Sequence, residues 1–467
     1  MTRNHTRWVL VLASIASSMT ALDTLVVATS LTTIRLDLGA SIEQLEWTVN
    51  AYNLSFAVLL MTAAALGDRL GRRRMFASGV TLFTLASAAC ALAPGAGALI
   101  AARAVQGAGA ALVMTLAMAL VSSNYPPERR GAALGTFFAL TGLAVAAGPL
   151  VGGAVAEGLA WQWIFWINVP IGLAVAPLAL ARIPESFGPD RRLDLPGLAL
   201  VSGGVLGVVW ALVRGNVAGW ASAEVIGTAV AGAALLTAFV RWELRAPAPM
   251  LPMRFFRSRA FSAGNAAIFF VLASLFTGVF FLAQFMQTGL GSSPLEAGLR
   301  LLPWTATLFF TAPVAGKLAD RFGERAFMVA GPLLQAVGMG WIALAAGPDV
   351  AYAELVAPLI VAGVGVSMSF PAAQNSVVSA VPPEAIGKAS GVNSTMRELG
   401  GVFGIALSVA VFAGAGSYAS PAEFTDGFTA AMGVSAGLSL IASLTGAALP
   451  RRPRGVVRAA PAFEGES

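Results

Sequence analysis

Four ionisable residues stand inside long apolar runs: Asp23, Arg103 and the adjacent pair Arg397 and Glu398. A charge in a hydrocarbon environment is costly, and by default it is there for function. The chemistry open to these groups is proton binding and charge pairing. The only histidine, His5, lies in the N-terminal tail, and the only cysteine, Cys90, lies in an apolar run, so neither an internal disulfide nor a cysteine metal site is possible. No nucleophile–base pair or metal cluster appears, which argues against an enzyme. Asp23 lies about 15 residues into the first apolar run, roughly 23 Å along a helix. Arg103 lies at a similar depth in the fourth run, so the two can face one cavity and pair. Such a pair either gains and loses a proton as its spacing changes or is a static buried ion pair. Arg397 and Glu398 point about 100° apart on a helix, so they do not face each other. One can line a cavity while the other reaches a neighbouring helix, Glu398 for coupling and Arg397 for a bound solute or charge balance.

The elements that carry these charges are membrane helices. Of 467 residues, 57% are hydrophobic and 11% charged, with a mean hydropathy of +0.77. That is too little charge to cover a soluble protein. Apolar runs of about 20 residues match a bilayer core of roughly 30 Å. Fourteen spans are expected, at 8–33, 46–66, 75–94, 98–121, 131–157, 161–182, 195–213, 221–241, 261–289, 296–316, 326–346, 354–380, 386–414 and 426–449. The first reads as a retained helix, since no clear small-residue cleavage site follows it. With the N-terminus inside, 24 of the 29 Lys and Arg fall in inside loops and tails, and only Arg35, Arg214 and Arg300 fall outside. The positive-inside rule therefore accounts for the pI near 10.2 without nucleic acid. It places both termini in the cytoplasm and the protein in the cell membrane, with the lipid bilayer as its constant partner.

Two short basic stretches divide the chain. Leu66, Asp68, Arg69 and Gly71 recur as Leu318, Asp320, Arg321 and Gly323, each 252 positions later. Pro126, Gly131 and Gly135 recur as Pro382, Gly387 and Gly391 at an offset of 256. The repeat predicts an all-α protein of two six-helix halves, 1–185 and 256–450, with an inserted helix pair and linkers at 186–255 and a cytoplasmic tail at 451–467. Halves related in this way are the plan of a secondary transporter, with its site between them near the midplane. Asp68, Arg69, Gly71 and Arg72, with Asp320, Arg321 and Gly323, read as a latch across the cytoplasmic helix ends, the acids favoured at helix N-termini and the glycines allowing the turn. The small residues Gly142, Gly148, Gly152 and Gly153 let another helix approach closely, and Pro149 allows a kink. This stretch is expected to pack against the other half as part of a hinge.

These residues resemble the major facilitator superfamily, in its fourteen-span drug:proton antiporter branch. The Asp68 stretch is similar to the signature loop between spans 2 and 3, and Leu99 to Gly109, with Arg103, Gln106 and Gly107, to the span-4 motif. Gly142 to Gly153 resembles the span-5 antiporter motif. Trp47 with Tyr52 and Asn53, and Trp161 through Asn168, Pro170 and Gly172, resemble runs of the fourteen-span branch. Two positions depart: Ala64 replaces the first glycine of the loop, and Glu398 stands where the branch often has Gln. The resemblance implies a major facilitator fold and export of hydrophobic or amphipathic small molecules, such as drugs or antibiotics, in exchange for protons, by a functional monomer. Tyr52, Asn53, Asn168, Gln284 and Asn375 are candidates to line the pathway, or else to make interhelical hydrogen bonds. No strong nucleotide-binding motif appears and no cofactor is called for. Two alternatives stay open: a proton-coupled importer on the same fold, and a non-transporting membrane sensor.

Overall fold

The computed structural model describes residues 3–40, 42–158, 160–188, 194–247, 249–347 and 350–451. Within them every regular element is helical. The first half contains α1 (Arg3–Leu38), α2 (Ile42–Leu70), α3 (Arg72–Ala91), α4 (Ala96–Asn124), α5 (Pro127–Gly158), the single turn α6 (Trp163–Trp166) and α7 (Asn168–Arg182). Next come α8 (Leu195–Ala218) and α9 (Ala223–Glu243). The rest comprises α10 (Arg259–Gln284), the short pieces α11 (Pro294–Arg300) and α12 (Leu302–Thr305), then α13 (Thr307–Phe322), α14 (Glu324–Ala345), α15 (Tyr352–Ser379), α16 (Ile386–Ala415) and α17 (Pro421–Ala447). Among the described residues, eleven helices are long and apolar enough to cross a membrane.

Several boundaries differ from the sequence reading, and for local reasons. The second helix runs on to Leu70, so Asp68 sits in its last helical turn instead of in a loop. Gly71 then takes φ 103° and α3 starts at once. The second copy repeats this: Gly323 takes φ 89° between α13 and α14. That left-handed backbone is open to glycine and strained for other residues. The span expected at 296–316 is broken into α11, α12 and α13.

The two halves meet along two close seams. On one, α5 lies against α13: a Cβ on Gly316 would run into the Gly131 carbonyl, and one on Gly135 into the Ala312 carbonyl. Small residues at these positions bring the backbones together, which is how helices associate where no hydrophobic force separates them from lipid. Gly142 continues the seam against Leu308. On the other seam, α2 lies against α16, with Ala64 beneath Gly391. The α8 helix rides on this seam and touches both sides. Its Ser202 hydroxyl is 3.2 Å from Thr62 of α2, and its Asn216 Nδ2 donates to the Ala406 carbonyl of α16 at 3.2 Å. Gly316→Ala should force α5 and α13 apart and cost about 1–3 kcal/mol as overpacking. Thermal unfolding in a lipid nanodisc measures this, and an unchanged midpoint would show that the seam is not tight.

Candidate functional site

Asp23 is the centre of a buried polar knot within the first half. Its carboxylate is enclosed by four other helical segments. Oδ2 accepts from Arg103 Nη1 of α4 at 2.6 Å. Oδ1 accepts from Gln106 Nε2 at 2.9 Å and from Asn168 Nδ2, at the start of α7, at 2.8 Å. Ser87 of α3 accepts from both amides, at 3.1 and 3.0 Å. Arg103 also gives Nη1 to Gln106 Oε1 at 2.7 Å and Nε to the Thr48 carbonyl of α2 at 3.2 Å. Its guanidinium lies 4.1 Å from the centre of the Tyr52 ring. Asp23 and Arg103 are each 1% exposed. A buried pair is stable only when its remaining polar atoms are satisfied as well, and here the amides and the Thr48 carbonyl do that.

The repeated acids sit at the arginine-rich ends of the helices, each at the start of a helix from the opposite half. Asp320 of α13 accepts from the backbone N–H groups of Gly131 and Ala132 of α5, both at 3.0 Å. Asp68 of α2 lies against Gly387 of α16, where any Cβ would collide with its carboxylate. Arg72 donates Nε to Asp68 Oδ1 at 2.8 Å and Nη2 to the Glu384 carbonyl at 3.1 Å. The positive end of each helix dipole faces a carboxylate. Both copies of the repeat thus join helices of opposite halves at the arginine-rich face.

Between these layers, α16 carries Arg397 across to the other half. Its guanidinium stands 5.2 Å from the Phe138 ring centre of α5 and 5.4 Å from Phe370 of α15, with Nη1 3.5 Å from Met118 Sδ of α4. Phe138 and Phe370 are themselves stacked, their centres 5.3 Å apart. Arg397 is therefore held by aromatic faces and a thioether. Glu398, half-buried beside it, makes no hydrogen bond or ion pair among the described residues.

The Major Facilitator Superfamily model matches residues 11–283 and 264–466. This chain belongs to the major facilitator superfamily. It is 36% identical over 468 residues to a cephamycin export protein from Amycolatopsis lactamdurans, covering 97% of this chain and 95% of that one. It is 34% identical over 404 residues to a tetracenomycin C resistance and export protein from Streptomyces glaucescens, covering 86% and 75%. Among solved structures it shares its fold with a proton:xylose symporter (TM-score 0.69, 15% identity, 95% of each chain). A human organic anion transporter has the same fold (TM-score 0.65, 14% identity, 96% and 100%). At those identities the likeness concerns the fold alone.

Within this superfamily architecture the remaining singled-out residues fall in distinct places. Tyr52 and Asn168 stand against the buried ion pair. Asn53 is exposed on α2. Gln284 accepts from the Tyr418 hydroxyl at 2.6 Å near the end of α10 remote from the repeat, and Asn375 donates to Glu324 at 2.7 Å near the arginine-rich end. Of the five candidates, Tyr52, Asn168, Gln284 and Asn375 thus have partners outside their own helices, the second of the two roles open to them, and Asn53 is exposed. Arg69 and Arg321 are exposed, and Arg321 lies over Phe322, so Arg72 and the two acids make the contacts between the halves at this face. Gly148 is buried in α5; Pro149, Gly152 and Gly153 are helical, and their surroundings lie outside the described residues. Sequence reasoning missed Gln106 as a partner of Asp23, Ser87 as the acceptor of both amides, and Thr48 as a partner of Arg103. Gln106 could have been found, since it follows Arg103 by one helical turn and shares its face.

Proposed function

We propose that this protein is a proton-coupled exporter of hydrophobic or amphipathic small molecules, working by alternating access as a monomer in the cell membrane. The observation that carries the reading is the buried Asp23 carboxylate with its three side-chain donors, Arg103, Gln106 and Asn168. A proton bound at Asp23 removes the charge that strengthens these bonds and so loosens the hold on Arg103. Arg103 also grips α2 through Thr48 and Tyr52, and the far end of α2 carries Asp68. Protonation in the outer knot would thus be felt at the closed face through one rigid helix. Relatives named for cephamycin export and for tetracenomycin C resistance and export support the outward direction and the class of cargo.

In this reading the arginine-rich face is cytoplasmic, with both termini on that side. The chain makes fourteen crossings: the eleven long apolar helices together with α1, α5 and the broken segment 294–322. Residues 1–185 and 256–450 are the two halves, and α8–α9 are an insertion between them. Differential affinity of proton and cargo for the two conformations lets the gradient do work. Arg397, Glu398, Phe138 and Phe370 lie where the halves meet, the place such transporters bind cargo.

The test is export from everted vesicles of a strain lacking its own pumps. An acidic interior should drive uptake of an aromatic probe dye, and Asp23→Asn should abolish the driven part while the protein still inserts. Uptake only into right-side-out vesicles would mark an importer instead. Driven uptake that survives Asp23→Asn would remove Asp23 from the coupling, and no driven uptake by the wild type in either orientation would leave a sensor.

A further inference from the structure

The two halves differ at one corner of the arginine-rich face, and the difference leaves three arginines without an anion among the described residues. In the first half Glu185, just after α7, receives the start of α3. Its Oε1 accepts from the Arg73 backbone N–H at 2.9 Å, and its Oε2 lies 3.5 Å from Arg73 Nε and 3.6 Å from Arg74 Nε. Arg73 recurs as Arg325 at the same 252-residue offset that relates Asp68 to Asp320. The run Ile183, Pro184, Glu185 recurs after α17 as Leu449, Pro450, Arg451. The first half's carboxylate has become a cation in the second. Arg325 and Arg451, with Arg259 at the start of α10, line a groove of about 670 Å³ whose other walls include Ala263, Ala447, Leu449 and Pro450. Among the described residues, none of the three arginines makes an ion pair.

We propose that this groove binds the phosphate of an anionic phospholipid from the leaflet on the arginine-rich face. Three guanidinium groups, from α10, α14 and the segment after α17, supply the charge complement, and guanidinium suits phosphate by its forked geometry. The apolar walls suit the start of acyl chains and would give nothing to a free anion. The sequence adds Arg452, Arg454 and Arg458 immediately beyond, a basic juxtamembrane run of the kind anionic lipid attracts. In the first half the same corner is closed by Glu185, so the site is single. The proposal does not depend on the direction or coupling of transport.

The probe is phosphatidylglycerol, titrated against phosphatidylcholine onto the purified full-length protein and counted by native mass spectrometry. One phosphatidylglycerol should be retained in preference to phosphatidylcholine. Arg451→Glu rebuilds the first half's arrangement by giving Arg325 an internal carboxylate. It should weaken phosphatidylglycerol roughly 30-fold, from a change of two charges at about fivefold each, with thermal stability in phosphatidylcholine nanodiscs unchanged. Arg259→Gln should weaken it about fivefold and carries the test if R451E fails to fold. Equal lipid binding by wild type and both variants overturns the proposal. Displacement of the lipid by millimolar inorganic phosphate overturns it too, since the groove would then be a free-anion site.

Discussion

Arg103→Met will destabilise the protein by about 3–5 kcal/mol, the usual cost of stripping one partner from a buried charge pair. The substitution keeps the long side chain and removes the guanidinium. Asp23 Oδ2 then loses its 2.6 Å donor, and the Thr48 carbonyl and Gln106 Oε1 lose theirs. Asp23→Asn does the reverse and leaves Arg103 charged and 1% exposed with no carboxylate within the knot. The double substitution Asp23→Asn with Arg103→Met leaves no uncompensated charge, so it should recover much of the loss, with a coupling energy of about 2 kcal/mol or more between the two sites. Reversible unfolding of the four proteins in lipid measures the cycle. If Arg103→Met alone stays within about 1 kcal/mol of wild type, water or lipid headgroups reach the pair and it is not sealed.

Asp320→Asn will unlatch the arginine-rich face. The carboxylate accepts two backbone N–H groups of α5 across the seam, and hydrogen bonds to a charged group contribute about 1.5–3 kcal/mol each. An amide at the same place turns one acceptor into a donor facing N–H groups, so one contact is lost and the other weakened. Every 1.4 kcal/mol shifts the closed-to-open ratio about tenfold. Ser394 reports on this, because it is 5% exposed and its hydroxyl meets Met118 Sδ of the other half. In a Cys90→Ser background, Ser394→Cys should label at least about tenfold faster from that face when Asp320→Asn is added. Asp68→Asn should act in the same direction at the other seam. Labelling that ignores both substitutions would reduce the repeated acids to anchors.

The residues that carried the sequence reading were those with long-range regularities. The recurrence of Asp68 and Gly71 as Asp320 and Gly323 can be seen without coordinates, and both glycines take positive φ. The reading stayed open where the outcome depends on what a helix faces. Tyr52 and Asn168 could be read as lining or as interhelical contacts because a polar side chain in an apolar run has no visible partner until helices are packed. Asp68 looked like a loop residue because helix ends are set by the turn that follows, and Gly71 lets α2 continue to Leu70 before reversing. Arg69 and Arg72 are both basic and three residues apart; only the position of α16 decides that Arg72 turns inward.

By itself the sequence determined that the chain is helical and lives in a membrane, because hydropathy and the scarcity of charge are properties of composition and run length. It also determined which ionisable groups are buried in apolar runs, since their neighbours in the chain are hydrophobic whatever the fold. Tertiary structure alone decided the partners. Asp23 meets Asn168, 145 positions away, and Asp320 meets Gly131, 189 positions away. Those distances in sequence carry no local signal. They close because small residues let helices from separate parts of the chain approach until a carboxylate reaches a donor.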